Sequence, residues 1–83
     1  MDKSLTPRQA EILDAIRRWF SRKRYAPTLR ELCSFVGGLT INAMAGHLDR
    51  LREKGYVTWE PGLARTLRLT AAGRREYKEK TDE

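Results

Sequence analysis

Apolar residues recur at helical spacing in the first third of the chain. Five of them fall on one side of a single helix: Ile12, Leu13, Ile16, Trp19 and Phe20. Just before them, Thr6 can cap the first amides, Pro7 suits the first turn, and Gln9 completes a capping box. The pattern predicts a helix over residues 7–22.

Two further helices are predicted after a short connection. Thr28 opens a second capping box, and the apolar pattern behind it stops at Gly37, so we expect a helix over residues 29–36. Thr40 is a third N-cap, and the helix behind it should run over residues 41–54 until Gly55 ends it. Three residues form its buried stripe: Met44, Leu48 and Leu51.

The apolar period then changes from helix-like to strand-like. Residues 56–60 and 65–69 are rich in β-branched, aromatic and alternating apolar residues, with a Pro- and Gly-containing turn between them. They are expected to pair as an antiparallel hairpin.

A last helix is predicted over residues 71–80, capped by Thr70, with Tyr77 as its one large apolar residue. Gly73 near its start lowers the helix propensity of this segment. The whole pattern predicts one α+β domain, a winged helix-turn-helix with a three-helix core, a two-stranded wing and a short C-terminal helix, spanning residues 1–83.

The net charge of the chain indicates what kind of partner this fold binds. The 83 residues include 17 Lys and Arg against 11 Asp and Glu, a formal net charge of +6. Twelve of the cations are Arg, which suits bidentate contact with phosphates and base edges. A small basic domain of this kind is typical of a protein with a polyanionic partner.

The same sequence argues against several other classes. No apolar run approaches the roughly 18 residues of a membrane span, and the N-terminus has no apolar stretch typical of a secretory signal. One cysteine, Cys33, and one histidine, His47, cannot form a disulfide or a metal cluster. No phosphate loop or nucleophile elbow is present. We therefore expect no cofactor, no metal and no enzymatic activity, and a reducing, cytoplasmic location.

The predicted third helix is the one expected to enter the DNA major groove. Its face opposite the buried stripe includes Asn42, Ala43, Gly46 and Arg50, and the first half of this face is small. Asn can pair with adenine and Ala can touch a thymine methyl group. In the wing, Arg65 lies near the turn and is the candidate for the minor groove.

Four stretches of this sequence resemble the N-terminal DNA-binding domain of LexA-type repressors. They carry the patterns Pro-Thr-x-x-Glu-Leu and His-Leu-x-x-Leu-x-x-Lys-Gly, and they are Leu5–Gln9, Ala26–Leu32, Asn42–Leu48 and Leu51–Val57. The resemblance implies operator contacts at Thr40, Asn42, Ala43, Ala45 and Gly46, with Arg65 in the wing. The full set of predicted DNA-binding residues also includes Thr28 and Arg50.

Two departures from that family change the expectation. The best-known members carry two acidic residues where this chain has Ala45 and Gly46, and neither Ala nor Gly can accept a hydrogen bond from cytosine. We therefore expect a different operator. The self-cleavage and dimerisation domain of the family is also missing from the sequence, so we expect a monomer or a weak homodimer that pairs on adjacent DNA half-sites.

The resulting hypothesis is a sequence-specific double-stranded DNA-binding regulator, most simply a repressor. The alternative is a winged helix that docks a protein or RNA, although the outer face of the third helix lacks the aromatic anchor of a protein hot spot. Two local readings also stay open. Gly46 either allows another molecule to approach the helix backbone closely or is only a weak point of the helix. The basic run Arg22-Lys23-Arg24 is either a solvated face or a contact with phosphate.

Overall fold

Three helices form in chain order, and each begins at a threonine cap. The computed structural model describes residues 5–74; α1 spans Pro7–Arg22, α2 Leu29–Val36 and α3 Ile41–Glu53. In each, the threonine hydroxyl accepts the backbone N–H three residues later at 3.1 Å. In α1 and α2 a Gln or Glu side chain also accepts the N–H of the cap residue, so both predicted capping boxes are confirmed.

Glycines end α2 and redirect the chain after α3. Gly37 follows α2 with φ +86°, a conformation that favours glycine. Helix α3 ends at Glu53, one residue earlier than predicted, because Lys54 is its C-cap and Gly55 turns away with φ +87°.

All three helices share one core with the first strand. The predicted apolar faces of α1 and α3 are the ones that lie inside it. The largest fully buried side chains are Ile12, Leu13, Ile16, Leu32, Met44, Leu51 and Val57. Each contributes roughly 1.5–3 kcal/mol relative to an exposed position, so this packing fixes how the helices lie against one another.

The wing is shorter than predicted. Strands β1 (Val57–Thr58) and β2 (Arg68–Leu69) pair antiparallel, with Val57 opposite Leu69. The prediction of five-residue strands over 56–60 and 65–69 is therefore wrong in length, although the pairing and its direction are confirmed. The element order α1-α2-α3-β1-β2 is that of an α+β winged helix-turn-helix.

Side-chain contacts, not a strand ladder, hold the wing loop between the two strands. The Thr66 hydroxyl accepts the backbone N–H of Glu60 at 2.9 Å and lies 3.1 Å from the Leu63 carbonyl oxygen. Arg65 has φ +60°, a left-handed conformation that cannot continue a strand. These two features explain why the β pairing stops at Thr58 and Arg68.

Arg65 ties the wing loop to the start of α2. Its guanidinium donates to both carboxylate oxygens of Glu31, at 2.9 and 3.0 Å, and to the Ala26 carbonyl oxygen at 3.1 Å. It also lies 5.0 Å from the ring centroid of Tyr25. A left-handed arginine costs roughly 1–2 kcal/mol, and these charge-assisted contacts offset that cost. The hydrogen bond between the two side chains lowers the pKa of Glu31 and raises the pKa of Arg65.

The chain after β2 begins a further helix at the predicted place. Residues 71–74 are helical. The Thr70 hydroxyl accepts the N–H of Gly73 at 3.1 Å and donates to the Gly55 carbonyl oxygen. The predicted extension to Lys80 and the anchor at Tyr77 lie outside the described residues.

Gly73 is buried where this segment meets α1 and the start of β1. Arg17 donates to the Gly73 carbonyl oxygen, with its Nε at 3.0 Å. A Cβ on Gly73 would collide with the backbone carbonyl oxygen of Tyr56. Close packing therefore requires the glycine that, by propensity alone, weakens this helix.

We expect Gly73→Ala to lower the free energy of unfolding by about 1–3 kcal/mol, the usual range for overpacking a filled site. Urea denaturation of the two proteins measures the difference. Gly46→Ala is the matched control, since a Cβ there meets nothing within 4 Å. That change should instead raise the free energy of unfolding by about 0.5–1 kcal/mol. If Gly73→Ala raised the free energy of unfolding as Gly46→Ala is expected to do, the packing argument would be contradicted.

The Glu31–Arg65 ion pair should make stability depend on pH. Because the pKa of Glu31 is lower in the folded protein than in the unfolded chain, the contribution is complete above the unfolded-state pKa of about 4.3. It is lost as the pH falls through the folded-state pKa. We expect Glu31→Gln to be less stable than the unmodified protein at pH 7, with the gap closing at pH 3.

Urea denaturation at the two pH values checks this. The amide of the Gln variant keeps an oxygen for the Thr28 cap, so only the ion pair is removed. Glu53→Gln is the control, because Glu53 forms no ion pair with any residue in the part of the chain described. If Glu31→Gln lowered the free energy of unfolding by the same amount at both pH values, the ion-pair explanation would be refuted.

Candidate nucleic-acid interface

The side of α3 that faces away from the core carries small and polar residues. Asn42, Gly46 and Arg50 are exposed on it, as predicted, and Glu53 continues the face at the end of the helix. Ala43 is half-buried at its flank. Because Met44, Leu48 and Leu51 hold the opposite side in the core, this outer face cannot rotate inward.

Sequence reasoning missed one residue of this face. Asp49 is exposed and follows Asn42 by seven residues, which places both on the same side of a helix. That spacing was the signal that could have found it. Its carboxylate can accept a hydrogen bond from the amino group of cytosine.

The first turn of α3 offers donors to an anion. Thr40 is exposed, and its hydroxyl oxygen accepts the N–H of Ala43, which leaves the hydroxyl proton to donate. The first amides of a helix have no partner within it, and the helix dipole makes this end positive. The start of α3 is therefore suited to a phosphate group.

Three predicted residues from three different segments meet in one cleft. Thr28 before α2, Ala45 on α3 and Arg65 in the wing loop line a cleft of about 420 Å³. The rest of the wall comes from α2 with the residue before its cap, from α3 and from the wing, and it includes Pro27, Leu29, Leu32, Leu48, Asp49, Trp59, Leu63 and Leu67. The cleft separates the exposed face of α3 from the wing by a gap with a largely apolar floor.

The wing presents a different residue at its tip from the one that the sequence suggested. Arg65 is partly exposed, but its guanidinium is held by Glu31, so a contact between Arg65 and DNA stays a prediction. Leu63 is 64% exposed, the most exposed large hydrophobic residue of the described chain. At the base of the wing, Arg52 lies 4.3 Å from the ring centroid of Trp59 and donates to its carbonyl oxygen.

Residues 5–74 bear on two further kinds of site. This part of the chain contains no group of three or more His, Cys, Asp or Glu side chains that could hold a metal ion. Within it, no helix combines the length and the apolar character that crossing a membrane requires.

Comparison with known proteins agrees with this geometry. Residues 2–66 match the family described as the LexA DNA-binding domain. The chain is 38% identical over 69 residues to a LexA repressor of Caldicellulosiruptor saccharolyticus, an overlap of 83% of this chain and 34% of the relative. It is 41% identical over 70 residues to a LexA repressor of Ralstonia pickettii, covering 84% of this chain and 32% of that protein.

A LexA repressor of Halorhodospira halophila is 42% identical over 69 residues, which is 83% of this chain and 30% of the relative. The chain thus spans about a third of the length of the curated relatives that it matches. The matched segment holds α1, α2, α3 and most of the wing. On this match, the chain belongs to the LexA DNA-binding domain family.

Proposed function

We propose that this chain binds double-stranded DNA at specific sequences and represses transcription in a bacterial cell by occupying its site, without a catalytic step. The observation that carries the proposal is the small, exposed outer face of α3, which is held rigidly by the core and bordered by the wing cleft. The relatives named above, all called LexA repressors, support the second half of the proposal.

The outer face of α3 supplies the base contacts in this proposal. Asn42 makes a bidentate pair with adenine, and Ala43 contacts a thymine methyl group. Gly46 lets the helix backbone approach the bases, because no side chain stands between them. An exposed glycine inside a helix costs about 1 kcal/mol relative to alanine, and nothing in the described fold explains it.

Phosphate contacts hold that helix in register. Thr40 and the first amides of α3 donate to one phosphate, while Thr28 in the cleft and Arg50 on the outer face of α3 contact others. Contacts of this kind position a protein on DNA, whereas base contacts specify the sequence. Arg65 acts here by keeping the wing against α2, and it reaches DNA only if it exchanges Glu31 for a phosphate.

The side chains on α3 indicate which bases the operator contains. Ala45 and Gly46 offer no acceptor to cytosine, while Asp49 one turn later does. We therefore propose a site with a cytosine placed toward the C-terminal half of α3, in addition to the adenine read by Asn42.

Substitution on α3 tests the base-reading assignment. Asn42→Ala should cost about 1–3 kcal/mol on the preferred site and spare binding to random duplex. Gly46→Ala should also weaken the specific complex, although it stabilises the fold. The preferred site is first selected from a random duplex library, and titrations by fluorescence anisotropy then measure both affinities.

Ser21→Ala, on the exposed side of α1, is the control, because it changes no charge and lies outside α3. It should leave both affinities unchanged. Failure to select any preferred duplex would refute the proposed function. In that case, the alternative function would be binding of a protein or RNA through the same face of α3.

We also propose that two copies of the protein pair when they are bound to DNA and not before. The first residues after β2, up to residue 74, pack onto their own domain through Gly73 and Arg17, so these contacts are made within one chain. One winged-helix module covers only about 600–1,000 Å², so pairing on adjacent half-sites supplies the discrimination that a genome requires.

Sedimentation velocity of the free protein at micromolar concentration tests this placement. We expect a monomer or a weak dimer without DNA, and a two-to-one complex on a duplex with two half-sites. A tight dimer in the absence of DNA would overturn it, and truncation after Leu69 would show whether the tail is responsible.

A further inference from the structure

A basic groove lies at the C-terminal end of α1 and along the outer side of α2, away from the residues of α3 discussed above. We call it the α1–α2 basic patch. Its lining residues are Trp19, Arg22, Lys23, Arg30, Glu31, Ser34 and Phe35. Arg30 and Ser34 are exposed one helical turn apart on α2, while Leu32 and Cys33 face the core.

Positive charge in the patch is not neutralised locally. Arg22, Lys23 and Arg30 form no ion pair with a carboxylate among residues 5–74. The nearest acid in the groove, Glu31, is already used on both oxygens by Arg65. At the edge of the patch Arg18 is paired with Asp14 at 3.2 Å. Three uncompensated cations therefore share one concave surface.

Aromatic rings lie beside two of these cations. The Lys23 ammonium lies 5.5 Å from the Trp19 ring centroid, and the Arg22 guanidinium lies 6.0 Å from that of Phe35. The two rings meet edge to face at 5.5 Å, and the Trp19 indole N–H donates to the Tyr25 carbonyl oxygen at 2.7 Å. These contacts use no carboxylate, so the charges of Arg22 and Lys23 remain available to an anion.

The patch lies at the end of α1 and on α2, the helix that precedes the reading helix. In a helix-turn-helix, the helix before the recognition helix crosses the DNA backbone. Arg30 and Ser34 lie on the exposed side of α2. The backbone is therefore the part of a docked duplex that α2 approaches, and its phosphates are anions that match the three cations.

We propose that the α1–α2 basic patch binds phosphates of the DNA that flanks the specific site, so that the footprint is longer than the sequence that is read. This rests on the proposed function, since it requires a duplex docked on α3. The contact is independent of sequence, because it uses phosphates alone.

The test removes charge from the patch and varies the length of the DNA. The variant is Arg22→Gln/Lys23→Gln/Arg30→Gln, and the probes are two duplexes with the same library-selected site. One duplex ends at the site and the other extends by one helical turn, about 10 base pairs, on each side. Three phosphate contacts correspond to a salt slope of about 2.7, or about a 40-fold loss of affinity between 50 and 200 mM salt.

We expect the unmodified protein to show this additional salt-dependent loss on the extended duplex and the triple variant to lack it, while the two proteins behave alike on the short duplex. Arg22→Lys/Arg30→Lys is the matched control, because it keeps all three charges and should retain the slope. The control also separates charge from any change in folding.

Three results, each compared with the triple variant, would overturn the inference: an equal additional salt-dependent loss of affinity on both duplexes, no additional loss on either, or a charge-conserving variant that lacks the additional loss. The first would mean a general field effect, and the second would assign the patch to an acidic protein partner. If the unmodified protein does not distinguish the selected site from random duplex, the proposed function fails instead, and the two failures are distinguishable.

Discussion

The position of α3 depends on the burial of one side of it in a single small core. Met44 and Leu51 are fully buried and Leu48 nearly so. Burying three such side chains stabilises the packed helix by several kcal/mol, at about 1.5–3 kcal/mol each, against about 1 kcal/mol for a glycine in its middle. The core therefore fixes the helix without help from its outer face. The residues of that outer face are therefore not needed for folding and can make contacts outside the protein.

The wing is held by a different kind of interaction, a contact between distant parts of the sequence. Glu31 has two roles, since one of its oxygens accepts the N–H of Thr28 in the capping box and both oxygens accept from Arg65. The residue that starts α2 is thus also the residue that anchors the wing loop. This explains how a hairpin with only two paired residues per strand keeps a defined position beside α3. Loss of the Glu31 carboxyl group would therefore remove contacts of both the wing loop and the α2 cap.

Much of the helical part could be predicted from the sequence, because its signals are local. Caps lie three residues from their partners, and apolar spacing identifies the faces of α1 and α3. The length of the wing strands could not, since it depends on a left-handed Arg65 that is tied to a residue 34 positions away. Gly73 was misleading for a similar reason: helix propensity disfavours it, but packing against Tyr56 requires it. On the reading face, Asp49 was missed although its seven-residue spacing from Asn42 was visible.

Net charge alone could not say which cations are available for DNA. Arg17, Arg52 and Arg65 are each bound to backbone carbonyl oxygens of their own domain, so part of the basic composition stabilises the fold. The donors in these contacts are already used, and a phosphate would have to displace the carbonyl oxygens to reach those donors. Arg22, Lys23 and Arg30 instead rest beside aromatic rings or in solvent with no carboxylate partner in the described chain. Under the proposed function, the affinity for a polyanion is therefore expected to depend less on the total of Lys and Arg than on this second group, which lies at the C-terminal end of α1 and on α2.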